Sequence, residues 1–474
     1  MNLLNTIFIF ELRMLRRQRL LLLLIAFFFL TGLYSIYDGY RFTQKQLTAI
    51  DSLERTYHKK FNELATNFKA DTTTAEGKLR YLQAGIPSVI EYQNPLNAIH
   101  RPAKLMSLSV GQRDLLPYYE VINRRRNAVQ ASNAEIANPE MLASGNFDLA
   151  YVIVYLLPLL AIALSYNTWS KEKEQQTDRL LAVQGQHFKR IIIYKLGFRF
   201  TVVALLAWLL STIGIASDAL LNSFDLTASL LWFFTITAYL AFWFSVCLLL
   251  IRLGQNSASN ALYLLSAWCF FLLVLPAITN AFVRLSYPIP LKTDEAVALR
   301  ENSEAIWSMP KQALIDTFYL DHPKYNTLKS VADTSENSTV RFVAYYDLLG
   351  KKMTTAIANY NQHQQKQNEI SDNLSWINPA TKTQYLLNSI AETGLTDYLS
   401  YQNQVNRFQK TWVDFMTAYI IHNRNLTLTD WHHLPKFEML LAAGKNKSII
   451  IGILGLLIIS AFCLLLSIRI KSEL

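Results

Sequence analysis

Residues 167–199 read NTWSKEKEQQTDRLLAVQGQHFKRIIIYKLGFR and lie between two apolar runs, residues 151–166 (YVIVYLLPLLAIALSY) and residues 200–216 (FTVVALLAWLLSTIGIA). The central stretch is charged, basic and helix-prone, whereas each flanking run has the composition of a membrane span. Lys and Arg are retained on the cytoplasmic side, so a short basic loop between two spans is expected there. The sequence therefore predicts two spans joined by a cytoplasmic loop at residues 167–196.

An apolar stripe runs through this loop. The residues that would share one side of a short helix on the membrane surface are Leu180, Leu181, Val183, Phe188 and Ile191. An exposed amphipathic helix of this kind suits docking into a groove on a cytoplasmic partner. The alternative is a solvated loop that only joins two spans, and the residues by themselves favour neither interpretation.

The apolar residues are concentrated in runs rather than spread evenly along the 474 residues, of which 51% are hydrophobic. Each run has roughly 20 residues, the length that an α-helix needs to cross about 30 Å of hydrocarbon. The runs lie at residues 20–37, 148–166, 197–216, 228–251, 259–283 and 448–468. The sequence therefore predicts an all-α polytopic membrane protein with six transmembrane helices.

Two large segments connect the spans on the side opposite the basic loop. Residues 38–147 are predicted to begin with a helix that continues out of the first span, because apolar residues recur there with helical periodicity. Their proline-rich centre is predicted to form loops or short strands, and residues 118–137 a second helix that returns to the membrane. In residues 285–446, the periodicity predicts helices at 293–322, 339–376, 381–393 and 397–424. Both extracytoplasmic segments are therefore expected to be mostly helical.

The net charge of +10 follows the expected topology. Basic residues precede the first span and follow the last, whereas the outer loop at residues 217–226 carries two aspartates and no base. This distribution predicts that both termini are cytoplasmic, with residues 1–19 as a basic amphipathic helix on inner-leaflet lipid and residues 469–474 as a tail. Because the location of the basic residues on the expected cytoplasmic side accounts for the positive net charge, a nucleic-acid partner is not expected.

Cysteine and proline positions add two expectations about the spans. Cys247, Cys269 and Cys463 all lie within predicted spans, so the outer segments have no disulfide framework. Pro276 lies within the fifth span and predicts a local break in that helix, which neighbouring helices must satisfy.

Motifs for catalysis are absent from the sequence. The stretch Gly350-Lys351-Lys352 lacks the glycine spacing and the following hydroxyl of a phosphate-binding loop. The pair His432-His433 has no third metal ligand at a recognisable spacing. Ionisable residues are almost absent from the spans, which argues against a proton-coupled pump. We therefore predict no catalytic, cofactor-binding or metal-binding residues, and a carrier, a channel or the membrane half of a machine powered elsewhere rather than an enzyme.

The whole arrangement resembles the ABC-2-type permeases, the membrane subunits of one class of ATP-binding-cassette exporter. The residues that look like the coupling segment of that family are Glu174-Gln175-Gln176-Thr177, Leu180-Leu181, Arg190 and Lys195. Gln176 stands where glycine is usual, and no proline follows Leu181.

The large segment between the first two spans narrows the resemblance to a bacterial subgroup that includes relatives of the nitrous-oxide-reductase maturation and gliding-motility permeases. The stretches similar to the outer-domain signature of that subgroup are Asn378-Pro379-Ala380, Leu386-Leu387-Asn388, Gly394-Leu395-Thr396-Asp397-Tyr398, Phe408 and Trp412.

This resemblance implies a bacterial cytoplasmic (inner) membrane protein that pairs with a second permease subunit, identical or different. A separate cytoplasmic ATPase dimer, which carries the ATP and magnesium, would bind the loop after the second span. The residues expected to contact it are Glu172, Glu174, Thr177, Leu180, Leu181 and Arg190. The long outer helices would then open a path for an exported substrate or transmit motion to a periplasmic protein. A mechanotransmission or signalling scaffold without a transported solute is the alternative, and an integral membrane hydrolase ranks third.

Overall fold

The computed structural model describes residues 3–126, 147–177, 188–253, 256–289, 292–335, 338–440 and 444–469. Over these residues the protein is helical apart from one two-stranded sheet. The helices long and apolar enough to cross a membrane are Arg19–Asn67, Leu149–Glu174, Arg190–Asp218, Leu226–Ile251, Ser257–Ser286 and Lys445–Ser467. Each overlaps one of the six predicted runs, which confirms a mostly helical chain with six helices long and apolar enough to span a membrane. We number them spans 1 to 6 and call the bundle end that carries both large segments the outer end.

Within the described ranges the elements follow one another in a simple order. They are α1 (Leu3–Arg17), α2 (Arg19–Asn67), α3 (Ala75–Gly85), α4 (Pro87–Gln93), β1 (Leu96–Ile99), β2 (Tyr119–Ile122), α5 (Leu149–Tyr151), α6 (Leu157–Ser165), α7 (Ser170–Glu174), α8 (Phe188–Asp218), α9 (Leu226–Ile251), α10 (Ser257–Cys269), α11 (Leu275–Ser286), α12 (Lys292–Trp307), α13 (Lys311–Asp321), α14 (Thr339–Ser375), α15 (Pro379–Ile390), α16 (Leu395–Ile421), α17 (Leu428–His432) and α18 (Lys445–Arg469).

Helix α2 forms span 1 and continues without interruption into the outer segment. Its 49 residues correspond to about 73 Å of α-helix. The predicted continuation out of the first span is therefore confirmed. Gln18, with φ −90° and ψ 84°, breaks the helix between α1 and α2, so that α1 packs against α8 instead of extending the span.

The predicted returning helix at residues 118–137 is wrong over residues 118–125. Residues Tyr119–Ile122 form strand β2, which pairs antiparallel with β1 in the register Leu96↔Ile122. Glu120 and Ile122 are buried while Tyr119 and Val121 are exposed, the period-two alternation of a strand. Residues 127–137 of that predicted helix lie outside the described residues.

The predicted helix at residues 293–322 is also wrong in one respect, because it is two helices. Helix α12 ends at Trp307 and α13 begins at Lys311, with Pro310 at its N-cap. Proline has no backbone N–H and cannot continue a helix through its own position. Helices α14, α15 and α16 coincide with the other three helices predicted in this segment.

Spans 2 and 5 each contain one π-turn next to a proline, and the predicted break at Pro276 is thereby confirmed. The π-turns are Val152–Leu156, ahead of Pro158, and Phe270–Val274, ahead of Pro276. Proline leaves a carbonyl of the preceding turn without its helical donor. Side chains from other helices supply donors instead, as hydrogen bonds from Tyr239 Oη to the Val154 carbonyl (2.7 Å), from Trp268 Nε1 to the Tyr155 carbonyl (3.0 Å) and from Asn378 Nδ2 to the Phe271 carbonyl (2.7 Å).

A loop of the first outer segment, residues 103–113, binds the outer ends of several spans, and we call it the clasp loop. Asp218, at the end of span 3, accepts hydrogen bonds from the backbone of Leu105 (2.8 Å) and the hydroxyl of Ser107 (2.7 Å). Asp148, the N-cap of span 2, accepts one from the backbone of Val110 (2.8 Å). Two buried carboxylates thus fix the first outer segment to the bundle.

Candidate functional site

The candidate coupling site lies at the inner end of span 2, in helix α7 and the turn after it. Helix α7 ends at Glu174 with Gln175 as its C-cap, and Gln176 then adopts a left-handed conformation with φ +57°. Left-handed residues commonly terminate helices, and glycine is preferred there because it has no Cβ. Gln176 therefore occupies a backbone position that favours glycine.

Glu172 faces the bundle and forms an ion pair with span 3. Its Oε1 accepts a hydrogen bond from Lys195 Nζ at 2.5 Å, and Thr177 Oγ1 donates to its other oxygen. The Lys195 ammonium also lies 3.6 Å from Glu11 Oε1, and Glu11 belongs to α1. One lysine therefore connects the loop after span 2, span 3 and the N-terminal helix α1.

Arg199 completes a compensated group of charges that we call the inner charge cluster, consisting of Glu11, Glu172, Lys195 and Arg199. Arg199 Nη2 lies 3.5 Å from Glu11 Oε2, and Nη1 donates to the Leu164 carbonyl and to Thr168. Glu11 is only 2% exposed and Lys195 only 7%. Two acids and two bases balance, as buried charges require.

Glu174 connects the same loop to span 5. Its carboxylate accepts hydrogen bonds from the backbone N–H of Ser257 (2.8 Å) and from the Ser257 hydroxyl (3.0 Å). Ser257 is the first residue of α10, so the acid lies at a helix N-terminus, where the free N–H groups and the dipole favour negative charge. The Ser170 and Ser257 hydroxyls, 2.7 Å apart, form a second bond between α7 and α10.

The six predicted site residues therefore fall into three groups. Glu172, Glu174 and Thr177 are bonded within the chain, through contacts that connect the loop to spans 3 and 5. Arg190 is exposed near the start of α8. Leu180 and Leu181 lie outside the described residues.

Sequence reasoning missed the internal partners of these residues, above all Glu11, Arg199 and Ser257. Glu11 is the one acid among residues 1–19, and that isolation within a basic helix is a signal that could have been used. Ser257 carried no comparable signal, because a serine at a helix start usually acts only as a local cap.

At the outer end, helix α15 of the second outer segment packs among the spans. Leu386, Leu387 and Ile390 are buried in the same core as side chains of spans 2, 4, 5 and 6. A Cβ at Gly452 of span 6 would lie 2.5 Å from the Leu386 side chain, so glycine permits this close approach. The outer end of the bundle is thus covered by a helix from the second outer segment.

A buried histidine stabilises the clasp loop from its outer side. The His100 ring stacks on Tyr401 with 4.8 Å between ring centroids, and the Arg113 guanidinium donates to the His100 carbonyl. Burial, with a further contribution from the positive charge of Arg113, lowers the pKa of His100 to about 3. The imidazole is therefore neutral in the folded protein at ordinary pH.

A cavity among the described residues lies beside the outer part of α2. It measures about 690 Å³ and is lined by residues from Asp38 to Ser52 of α2 together with Val110 and Asp148. Arg41 and Lys45 give it two bases, and Asp38 and Asp148 two acids. In the described part of the chain, no three or more His, Cys, Asp or Glu side chains are grouped so that they could hold a metal ion.

Comparison with known proteins identifies one part of the chain. A family model described as "Domain of unknown function (DUF3526)" matches residues 293–439, which extend from α12 to beyond α17 and include α15. No curated protein and no solved structure matches the chain.

Proposed function

We propose that this chain is the permease subunit of an ATP-binding-cassette exporter in a bacterial cytoplasmic membrane, with both termini in the cytoplasm. Six span-length apolar helices and the basic inner loops support this proposal. The observation that carries it is the bonding of the inner loop. Glu172 and Glu174 connect this short loop to two other spans and to α1 at the same time.

In this proposal, a cytoplasmic ATPase dimer with bound ATP and magnesium docks on residues 168–190. Closure of the dimer displaces the loop, and Lys195 conveys the displacement from Glu172 to span 3 and α1. Glu174 conveys it to span 5 through the helix N-terminus that it caps. Charge-assisted bonds suit this role because they are short, directional and about twice as strong as neutral hydrogen bonds.

Affinity purification of the tagged chain in a mild detergent, followed by an ATPase assay, tests this function. The wild type should co-purify with a P-loop ATPase, and the double variant Leu180→Asp, Leu181→Asp should lose it. Leu320→Asp is the matched control, because Leu320 is 81% exposed on the outer segment and its replacement should leave the complex intact. A folded wild type that purifies without any such ATPase would refute the proposal.

A mechanotransmission scaffold is the second candidate, and the length of α2 favours it. One unbroken helix from the inner end to the outer segment can carry motion between them without a substrate path. The buried Thr235 of span 4 offers a discriminating probe. After Thr235→Cys in a background whose three native cysteines are replaced by alanine, export predicts that ATP increases labelling by a water-soluble maleimide, whereas transmission predicts that the introduced thiol stays protected.

A further inference from the structure

The turn between α14 and α15, residues 375–378, reaches far down the sides of two spans, and we call it the corner. Asn378 Nδ2 donates to the carbonyl of Phe271 in span 5 at 2.7 Å. The Trp376 ring packs on span 6 so closely that a Cβ at Gly455 would lie 2.2 Å from it. Both contacts fall in the middle of apolar helices and not at their ends.

The two contacts give the same depth below the outer end of the spans. Towards the outer end of span 5, the first polar side chains after Phe271 are Thr279 and Asn280. Phe271 is nine residues from Asn280, a separation of about 13 Å along the helix. Gly455 is eight residues from Lys447 of span 6, which corresponds to about 12 Å. The corner therefore lies near the middle of a hydrocarbon layer about 30 Å thick.

The polar groups of the corner are satisfied within the protein. The backbone N–H groups of Trp376, Ile377 and Asn378 donate to carbonyls three residues earlier. Lys382, 6% exposed, pairs at 2.9 Å with Asp372, whose side chain is 49% exposed, and its ammonium lies 4.3 Å from the centre of the Trp376 ring. Hydrocarbon offers no hydrogen bonds of its own, so the backbone groups of the corner and the Asn378 amide have to be paired within the protein at this depth, whereas the Asp372 carboxylate lies one turn nearer the outer end.

The outward surface of the corner is apolar. Ile377 is 61% exposed and Trp376 is 38% exposed. An exposed isoleucine and tryptophan next to each other would be unfavourable in water, whereas at this depth they meet acyl chains. The apolar surface and the satisfied polar groups therefore indicate the same surroundings.

We infer that the corner is inserted into the outer leaflet and that Trp376 and Ile377 contact lipid acyl chains. Residues 293–439, which the family model covers, are then not wholly outside the membrane, because a helical hairpin from α14 and α15 enters it from the outer side. This inference does not depend on the proposed function, since it concerns only the position of the corner relative to lipid.

Depth-dependent quenching tests the insertion. In a background whose three native cysteines are replaced by alanine, Ile377→Cys is labelled with the environment-sensitive fluorophore NBD and the protein is reconstituted into phosphatidylcholine vesicles. Acyl-chain-brominated lipid should quench this label strongly and its emission should be shifted to the blue. Gln362→Cys, exposed on α14 and fifteen residues farther out, is the matched control and should show an aqueous emission without quenching.

Equal, weak quenching at both positions would overturn the inference. Blue-shifted emission without bromine quenching would also overturn it, because a second copy of the chain would then cover the corner. A wild-type measurement guards against variants that fail to fold. With a phosphatidylcholine that carries a diazirine on its acyl chain, photolysis should label Trp376 or Ile377 as well as the spans; labelled spans with an unlabelled corner would contradict the inference.

Discussion

Removal of the Glu11 carboxylate should destabilise the protein far more than the loss of a surface ion pair. In Glu11→Gln, Lys195 retains its ion pair with Glu172. Arg199 retains only hydrogen bonds to neutral acceptors, the Leu164 carbonyl and Thr168. An uncompensated buried charge costs about 3–5 kcal/mol. Because Arg199 retains two hydrogen bonds and its side chain is 11% exposed, we expect a loss of about 2–3 kcal/mol in the free energy of unfolding.

A double-mutant cycle in detergent measures this loss. Glu11→Gln, Arg199→Gln removes both charges and should recover at least about 1 kcal/mol relative to the sum of the single changes. Glu76→Gln is the matched control, because Glu76 pairs with Arg80 on an exposed helix and its side chain is 74% exposed; its loss should be below about 0.5 kcal/mol. Strictly additive single changes, or a Glu11→Gln variant as stable as the wild type, would refute the cluster as described.

Three further predictions concern the backbone and a titrating group. Gln176→Gly should raise the free energy of unfolding by up to about 1 kcal/mol, because glycine adopts the left-handed conformation without the steric cost of a Cβ. Gln175→Gly, at a residue with ordinary helical angles, should lower it by about 0.5–1 kcal/mol. Chemical denaturation of both variants checks this contrast. Gly39→Ala should lower the free energy of unfolding by about 1–3 kcal/mol, since a Cβ would lie 1.9 Å from a clasp-loop carbonyl oxygen. Gly350→Ala is the control and should be neutral or stabilising, because a Cβ there meets nothing within 4 Å. Acid should destabilise the fold through His100, whose pKa of about 3 in the folded protein lies below its value in the unfolded chain. Because the unfolded state then binds more protons, the free energy of unfolding should fall by about 2 kcal/mol between pH 8 and pH 5. Thermal unfolding against pH checks this, and His100→Phe should lose that part of the dependence.

Span 5 is the helix that both candidate regions contact. Its first residue, Ser257, binds Glu174 of the coupling loop, and its π-turn carbonyl at Phe271 binds Asn378 of the corner. Ser257 and Phe271 are fourteen positions apart, which corresponds to about 21 Å of helix. If the loop after span 2 is displaced, the displacement would therefore reach the second outer segment through span 5 alone, whose helix contains the π-turn Phe270–Val274.

Local pattern was sufficient to predict most of the helices. Each span is a run of roughly 20 apolar residues whose signal needs no knowledge of its neighbours, and the periodicity along α14 covers 37 residues. The break before Pro276 was predictable because proline lacks a backbone donor wherever it occurs.

Features that depend on distant contacts were not predictable in the same way. Strand β2 is four residues long, and its partner β1 lies more than twenty residues earlier, so it was mistaken for helix. The bond from Asn378 to Phe271 joins residues 107 positions apart, and no local periodicity encodes it. At the coupling site, the sequence drew attention to Glu172 and Glu174, but burial and pairing of Glu11 became visible only in the folded chain.

Photo-cross-linking at Arg190 tests the central claim most directly, because Arg190 is exposed within the segment proposed to bind the ATPase. A photoreactive amino acid replaces Arg190 in the full chain, membranes are irradiated, and the cross-linked products are sequenced by mass spectrometry. The account predicts a product that contains an ATPase with a G-x-x-x-x-G-K-[ST] phosphate-binding loop, and none from the same substitution at Leu320. Cross-links from Arg190 to lipid alone, in membranes where the protein is folded and abundant, would contradict it.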